Sequence, residues 1–200
     1  MRIILPGELL FSKPMKLPFT RIENGKTYAT VVTFLNDENR AIPLEGRYIP
    51  KAGDRIIGVI TESRYSHYLV DINTPWKAIL PIRSERDRRF KPGDVIFAKI
   101  SHVDESKTVI LEEARKLNNG LLITFETVKI PRLVGKKSSM LNLIMEKTDS
   151  KITVGSNGYI WIEGGDLSKI LGAMDMIERT PHIPGLTDRV SAYLEGEDET

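Results

Sequence analysis

Two stretches of this chain place positive charge beside groups that a polyanion can use. Gly135-Lys-Lys-Ser138 falls where a helix begins. A glycine there lets backbone approach a phosphate closely, Lys136 and Lys137 supply charge, and the first N–H groups of the helix point at the anion. Arg132 adds to this cluster, with Lys129 before it and no acid between Glu126 and Glu146. The same residues also read as a solvated capping turn with two surface lysines. The second stretch begins with Arg64, Tyr65, His67 and Tyr68 and continues with Arg83, Arg86, Arg88, Arg89 and Lys91. Aromatic side chains in a basic groove stack the bases of single-stranded nucleic acid, at about 1–3 kcal/mol per base. Strand alternation sets Tyr68 and Val70 on one face and His67, Leu69 and Asp71 on the other. Tyr68 is therefore either a stacking platform or a core aromatic. Trp76, after a proline, can serve as lid, platform or anchor, and Trp161 on an alternating run reads as core.

Catalytic chemistry finds little support. His67, His102 and His182 are isolated from one another and from any metal-ligand spacing, and with no cysteine there is no thiolate site for zinc or an iron–sulfur cluster. No nucleophile elbow, phosphate-binding Walker loop or paired-carboxylate motif occurs. Asp71, Asp94, Asp104 and Asp166 stand where turns or helix caps explain them. The expectation is no catalytic residue, no metal and no cofactor.

The elements that must position these groups differ along the chain. Residues 1–50 read as short strands: Thr27 to Leu35 is β-branched and aromatic, Asn36 to Asn39 is a turn cluster, and Pro6, Pro14, Pro18, Pro43 and Pro50 keep strands short or at edges. Residues 51–115 carry five strand candidates, Arg55 to Thr61, His67 to Ile72, Lys77 to Ile82, Val95 to His102 and Lys107 to Glu112, with turn signals between them. Five strands without room for crossover helices predict a small closed antiparallel barrel of the OB type. Residues 116–194 alternate strand and helix. Leu121 to Ile130 is extended, and Leu141, Ile144, Met145 and Thr148 share a helical face after a cap at Ser138 or Ser139. Lys151 to Val154 and Tyr159 to Ile162 form a hairpin around Gly155-Ser-Asn-Gly158. Asp166 caps a helix with apolar positions Leu167, Ile170, Leu171, Met174 and Ile177. Residues 195–200 form an acidic tail.

The formal charge of +2 is a near-cancellation between three mildly basic segments and that tail. Such a balance suits a polyanion contacted locally rather than wrapped. The longest apolar runs are too short for a membrane span or a signal-peptide core, and the lack of cysteine suits a reducing cytosol.

Several long motifs carry a family likeness in order along the chain. Pro43-Leu-Glu-Gly-Arg-Tyr-Ile-Pro-Lys-Ala-Gly-Asp-Arg-Ile-Ile-Gly58 and Val70-Asp-Ile-Asn-Thr-Pro-Trp-Lys-Ala-Ile-Leu-Pro81 resemble the S1 portion of the archaeal exosome RNA-binding cap subunits, the ribosomal RNA-processing protein four family. Pro131-Arg-Leu-Val-Gly-Lys-Lys-Ser-Ser-Met140, Val154 to Ile162 and His182 to Val190 resemble its KH portion and C-terminal signature. The resemblance implies a multidomain chain, mainly β plus α+β: a small N-terminal β domain, a five-stranded OB-fold S1 barrel and a type I KH domain. It also implies a cytoplasmic, non-catalytic RNA-binding subunit. Three such subunits, alone or mixed with a second type of cap protein, would sit on a hexameric ring of RNase PH-like subunits and guide the 3′ end of RNA into it. Within that scheme the N-terminal domain docks on the ring. A free-standing S1/KH protein of translation or RNA processing is the other reading. The family has glycine where this chain has Ser138 and tryptophan where it has Tyr68, and many other S1 domains have a histidine near Pro81, so the arginine-rich loop is the stronger RNA candidate.

Overall fold

Proline and turn residues keep every strand short in the first part of the chain: β1 (Arg2–Ile4), β2 (Leu9–Phe11), β3 (Thr20–Glu23), β4 (Lys26–Ala29), β5 (Thr33–Leu35) and β6 (Ala41–Pro43). They form two three-stranded sheets, β1-β5-β6 and β2-β4-β3. The run from Thr27 to Leu35, expected as one strand, is broken after Ala29, and its halves serve different sheets. Thr30 N–H still donates to Phe19 C=O at 3.0 Å, one rung beyond Ala29 in the β3–β4 register, and the chain then crosses to β5, which pairs with β1 and β6. Buried Thr27 accepts the Met15 N–H and donates to the Lys13 C=O, both at 2.8 Å, and so ties down a stretch that has no strand of its own. Among the described residues the core here is small, Ile4, Leu10 and Ala29 with partly buried neighbours. The computed structural model describes residues 2–17, 19–35, 39, 41–84, 89–179 and 185–196. The turn at 36–38, Arg86, Arg88, the signature residues 182–184 and most of the acidic tail therefore lie outside the described residues.

The chain divides into two compact units, Met1–Arg47 and Tyr48–Thr200. The second begins with the barrel, β7 (Arg55–Ser63), β8 (His67–Asp71), β9 (Ala78–Pro81), β10 (Val95–Val103) and β11 (Val109–Lys116), closed in the order β10-β11-β9-β8-β7. The closure corrects the antiparallel expectation at one seam: β9 and β11 pair in parallel, Val109 opposite Ala78 and Ile110 opposite Ile79. Directions cannot alternate all the way around a ring of five strands, so one parallel pair is unavoidable. Ile56, Ile60, Tyr68, Val70, Ile96, Ile100 and Leu111 fill the interior.

A layer of helices and strands follows: β12 (Leu121–Thr124), α1 (Ile130–Val134), α2 (Ser139–Thr148), β13 (Ser150–Val154), β14 (Tyr159–Gly164), α3 (Leu167–Arg179) and α4 (Leu186–Glu195). The sheet runs β12-β14-β13, antiparallel throughout. Asp166 caps α3 as expected, accepting the N–H groups of Ser168 and Lys169 at 3.0 and 3.2 Å. The buried face of α3 is Ile170, Ala173, Met174 and Ile177, while Leu167 and Leu171 stay 38% and 41% exposed. The final helix, α4, goes beyond the sequence expectation. Its buried positions Leu186, Val190 and Leu194 recur every fourth residue and pack on the same core. No described helix is long and apolar enough to cross a membrane.

The barrel and this layer are fastened through the β13–β14 turn. Ile56, Ile57 and Gly58 are buried in succession, which an alternating strand allows only when both faces are covered. Ile57 points out of the barrel and packs with Leu117 and Trp161. Asn157, fully buried, reaches from the turn and accepts the Ile57 N–H at 3.2 Å while its amide donates to the carbonyls of Ile57 and Ile72 at 2.7 and 2.9 Å. Tyr159 adds a hydrogen bond to Asp71 at 2.7 Å. Gly155 permits the approach, because a Cβ there would lie 2.7 Å from the Ile57 nitrogen.

Candidate nucleic-acid interface

The β7–β8 turn presents the most accessible large aromatic among the described residues. Tyr65 is 87% exposed, between Arg64, which closes the turn by donating its N–H to His67 C=O at 2.9 Å, and Ser66, whose C=O accepts from Ile82 N–H at 2.9 Å. The second bond ties the turn to the end of β9 and brings Tyr65 and Arg83 to one end of the barrel. The guanidinium of Arg64 is engaged with Glu62 through Nε and Nη2 at 3.0 and 2.8 Å, an exposed pair that RNA phosphate can compete for. His67 is half-buried opposite Pro81, with Nδ1 3.0 Å from the Ser66 hydroxyl and Nε2 buried without a partner.

The expectation for Tyr68 is corrected at the level of burial: it is a core aromatic of the barrel. The two-residue period turns it inward with Val70, leaving it 2% exposed. Its ring meets Phe90 edge to face at 5.6 Å and 77°, and its hydroxyl accepts the Phe90 N–H at 3.3 Å. A side chain so enclosed has no face for a base. On the outward face three aliphatic residues, Leu69, Ile79 and Ile110, stand side by side across β8, β9 and β11, each half-buried. Trp76 packs partly buried against the barrel core with the Lys107 ammonium 5.8 Å above its ring.

After β9 the chain is basic. Arg83 and Arg89 are exposed and line a cleft of about 210 Å³ whose apolar walls include Leu80, Phe90 and Leu111. Arg89 donates to the Ala114 carbonyl at 2.7 Å and lies 5.1 Å above the Phe90 ring. Two carboxylates, Glu112 and Glu113, complete the lining. Lys99 reaches both, at 3.0 and 3.6 Å. Its hydrogen bond, aided by the charge of Arg83, holds the Glu112 carboxyl below its ordinary pKa. Lys91 is exposed, and its backbone N–H donates to Asp94 at 2.9 Å. Arg86 and Arg88 lie outside the described residues.

The second cationic group sits in the helical layer. Arg132, Lys136 and Lys137 are all exposed. Gly135 ends α1 at φ 73° and ψ 175°, and a Cβ there would lie 2.8 Å from the Met140 nitrogen. Lys137 and Ser138 then take consecutive left-handed conformations, φ 54° and 63°. The capping expectation is corrected: Ser138 occupies the N-cap position of α2 without a side-chain cap bond, and Ser139 is already helical. A capping side chain requires extended backbone, which Ser138 lacks. The conformation at Ser138 is the one glycine favours, so the backbone keeps the glycine-type path with a serine on it.

The four aspartates discounted as catalytic are occupied. Asp71 serves Asn73 and Tyr159, Asp94 serves Lys91 and Lys116, Asp104 serves Ser106 and Thr108, and Asp166 caps α3. Among the described residues no three histidine or acidic side chains converge as metal ligands. Sequence reasoning missed Asn157 and Glu113. Asn157 reads as an ordinary turn residue, and nothing in its neighbours signals burial. Glu113 breaks the alternation of β11, a signal present in the sequence as Leu111-Glu-Glu-Ala114 with two acids in succession.

The barrel, with exposed Tyr65 and arginines at one end, defines a protein of the S1 class: a model of the S1 domain of exosome complex component RRP40 matches residues 48–112. Over the whole chain the likeness is more specific. Exosome complex component Rrp4 of Methanobrevibacter smithii is 37% identical, with 96% of this chain and 70% of the relative covered. The protein of the same name from Methanothermus fervidus is 35% identical over 96% of this chain and 94% of its own length. A crystal structure assigned as an exosome complex RNA-binding protein superposes with a TM-score of 0.67 at 31% identity, covering 76% of this chain and 97% of that one. The chain belongs to the Rrp4 family of exosome components.

Proposed function

We propose that this chain is a non-catalytic RNA-binding cap subunit of an archaeal exosome, recruiting RNA and guiding its 3′ end into a hexameric ring of RNase PH-like subunits. Three copies, alone or with a second type of cap protein, would form the cap in the cytoplasm. The observation that carries the reading is the joining, at one end of an S1 barrel, of exposed Tyr65 with Arg83 and Arg89 in a chain of the Rrp4 family. Family membership favours this over a free-standing RNA-binding protein. Residues 116–194 serve as a type I KH domain in this reading, supported by the strand–helix–helix–strand–strand–helix order and the antiparallel sheet. Residues 1–50 serve as the ring-docking domain, supported by Ile3, Leu5, Leu9 and Ile22, all 39–59% exposed on strands of the first unit or beside them. Several such apolar side chains around a small core mark a surface that another protein covers.

Reconstitution tests the proposal. Mixed with the nuclease ring, the chain is expected to co-sediment with it and accelerate RNA degradation, and Tyr65→Ala is expected to weaken RNA binding by about 1–3 kcal/mol, one stacked base. A chain that neither joins the ring nor alters degradation overturns it. RNA cleavage by the purified chain alone would overturn the non-catalytic assignment.

A further inference from the structure

Strand β11 departs from regular pairing at the wall of the cleft. Opposite β10 the register steps from Phe97 with Arg115 to Lys99 with Glu112, so Ala98 faces two residues, Glu113 and Ala114. Glu113 makes the extra residue with φ 53°, a left-handed conformation that few residues other than glycine adopt. The consequence for the side chains is specific. Val109 and Leu111 face the barrel core, and strict alternation would send Glu113 in after them. The bulge puts Ala114 inside instead and turns Glu113 out, onto the same surface as Glu112. A bulge leaves a backbone group outside the ladder, and Arg89 bonds the Ala114 carbonyl here. Two adjacent carboxylates, both paired with Lys99 and each keeping further acceptor sites, and two arginines thus surround one apolar-walled cleft.

We infer that this cleft is a subsite for a single nucleobase of the bound RNA, and that guanine is the base it fits. The inference rests on the RNA-binding reading above and adds a base preference to it. At about 210 Å³ the cleft is smaller than the roughly 300–1,000 Å³ of sites for drug-sized ligands, the scale of one base. The walls then select among bases. Guanine carries adjacent N–H donors on its Watson–Crick edge, the complement of a carboxylate, together with the O6 and N7 acceptors that arginine reads. Arginine has five donors, so the bond from Arg89 to Ala114 leaves capacity for a base. Adenine and cytosine offer a single amino donor beside their acceptors, and uracil a single ring N–H.

The test compares the full chain binding a short adenine-only RNA with the same RNA carrying one guanine at successive positions, read by fluorescence anisotropy. About tenfold tighter binding is expected for the guanine register that reaches the cleft. Glu113→Gln should abolish that preference, so that the guanine-bearing and adenine-only RNAs bind it with equal affinity. Glu113→Gly deletes the carboxylate and suits the positive φ, so it should lose the preference without losing thermal stability. Equal affinity for every base overturns the subsite. So does a uniform weakening of all RNAs in the Glu113 variants, or an Arg83→Ala effect that is independent of base and lowers the salt slope, the mark of a phosphate contact. Failure to bind any RNA would overturn the functional reading together with the subsite, whereas binding without preference overturns the subsite alone.

Discussion

Gly135-Lys-Lys-Ser138 and Gly155-Ser-Asn-Gly158 are both glycine-led turns of four residues joining regular elements, yet they do opposite work. The first lies open to solvent, carries two lysines and holds two residues in left-handed backbone. The second carries no charge, buries its asparagine completely and ties the helical layer to the barrel through three hydrogen bonds. Both turns begin with glycine and end on a residue of positive φ, Ser138 at 63° and Gly158 at 83°, and the surroundings decide the role. Where a neighbour's backbone stands unpaired, as at outward-facing Ile57, the turn becomes a fastening. Where water stands, it remains available to a ligand.

Three variants test this contrast. The largest effect is expected at Asn157. Asn157→Ala removes three hydrogen bonds and leaves the N–H and C=O of Ile57 and the C=O of Ile72 buried without partners, at a cost of about 3 kcal/mol or more. Denaturant unfolding measures the loss, and hydrogen exchange should show protection falling at Ile57. A stability change below about 1 kcal/mol would show that water replaces the asparagine and that the turn does not fasten the layers.

An intermediate effect of opposite sign is expected in the exposed loop. Ser138→Gly relieves a strained left-handed residue, roughly 1–2 kcal/mol, partly offset by the greater freedom of glycine in the unfolded chain, for a net gain of about 0.5–1 kcal/mol. Removing the side chain also opens the path to a phosphate, so RNA affinity should rise with stability. A fall in stability would mean that the serine side chain makes an interaction outweighing the strain.

The smallest effect on stability falls on the lysines. Lys136→Ala with Lys137→Ala should leave unfolding within about 0.5 kcal/mol of the parent, because both side chains are exposed. The slope of log affinity against log salt for single-stranded RNA should flatten by about 0.7 for each phosphate that the loop no longer neutralises. An unchanged slope removes this loop from the RNA path and leaves the barrel end as the binding surface.

Much of the architecture was legible in the residues. Five β-rich runs at short spacing, punctuated by Lys-Pro-Gly-Asp and Asn-Thr-Pro turns, announced the barrel, since each strand's alternation and each turn's chemistry are local properties. The capping of α3 by Asp166 was legible for the same reason. The break after Ala29 was not, because a β-branched run reads as one strand whatever sheet its halves later join. The last helix was hidden behind Pro181 and Pro184, although its apolar residues keep helical spacing. Among site residues, Arg83, Arg89, Lys136 and Lys137 could be nominated from charge alone. Tyr68 could be placed on a face by alternation, but which face looked inward depended on the closure of the barrel.

By itself, then, the sequence determined most of the strand and helix inventory, the family and the two basic loops, because propensity, period and charge reside in neighbouring residues. Only the tertiary structure decided that Tyr68 packs on Phe90 rather than on a base, that Asn157 is a buried fastening, and that Glu113 joins Glu112 on an outer wall. Each of those depends on which backbone and side chains, remote in sequence, come to lie within hydrogen-bonding or packing distance.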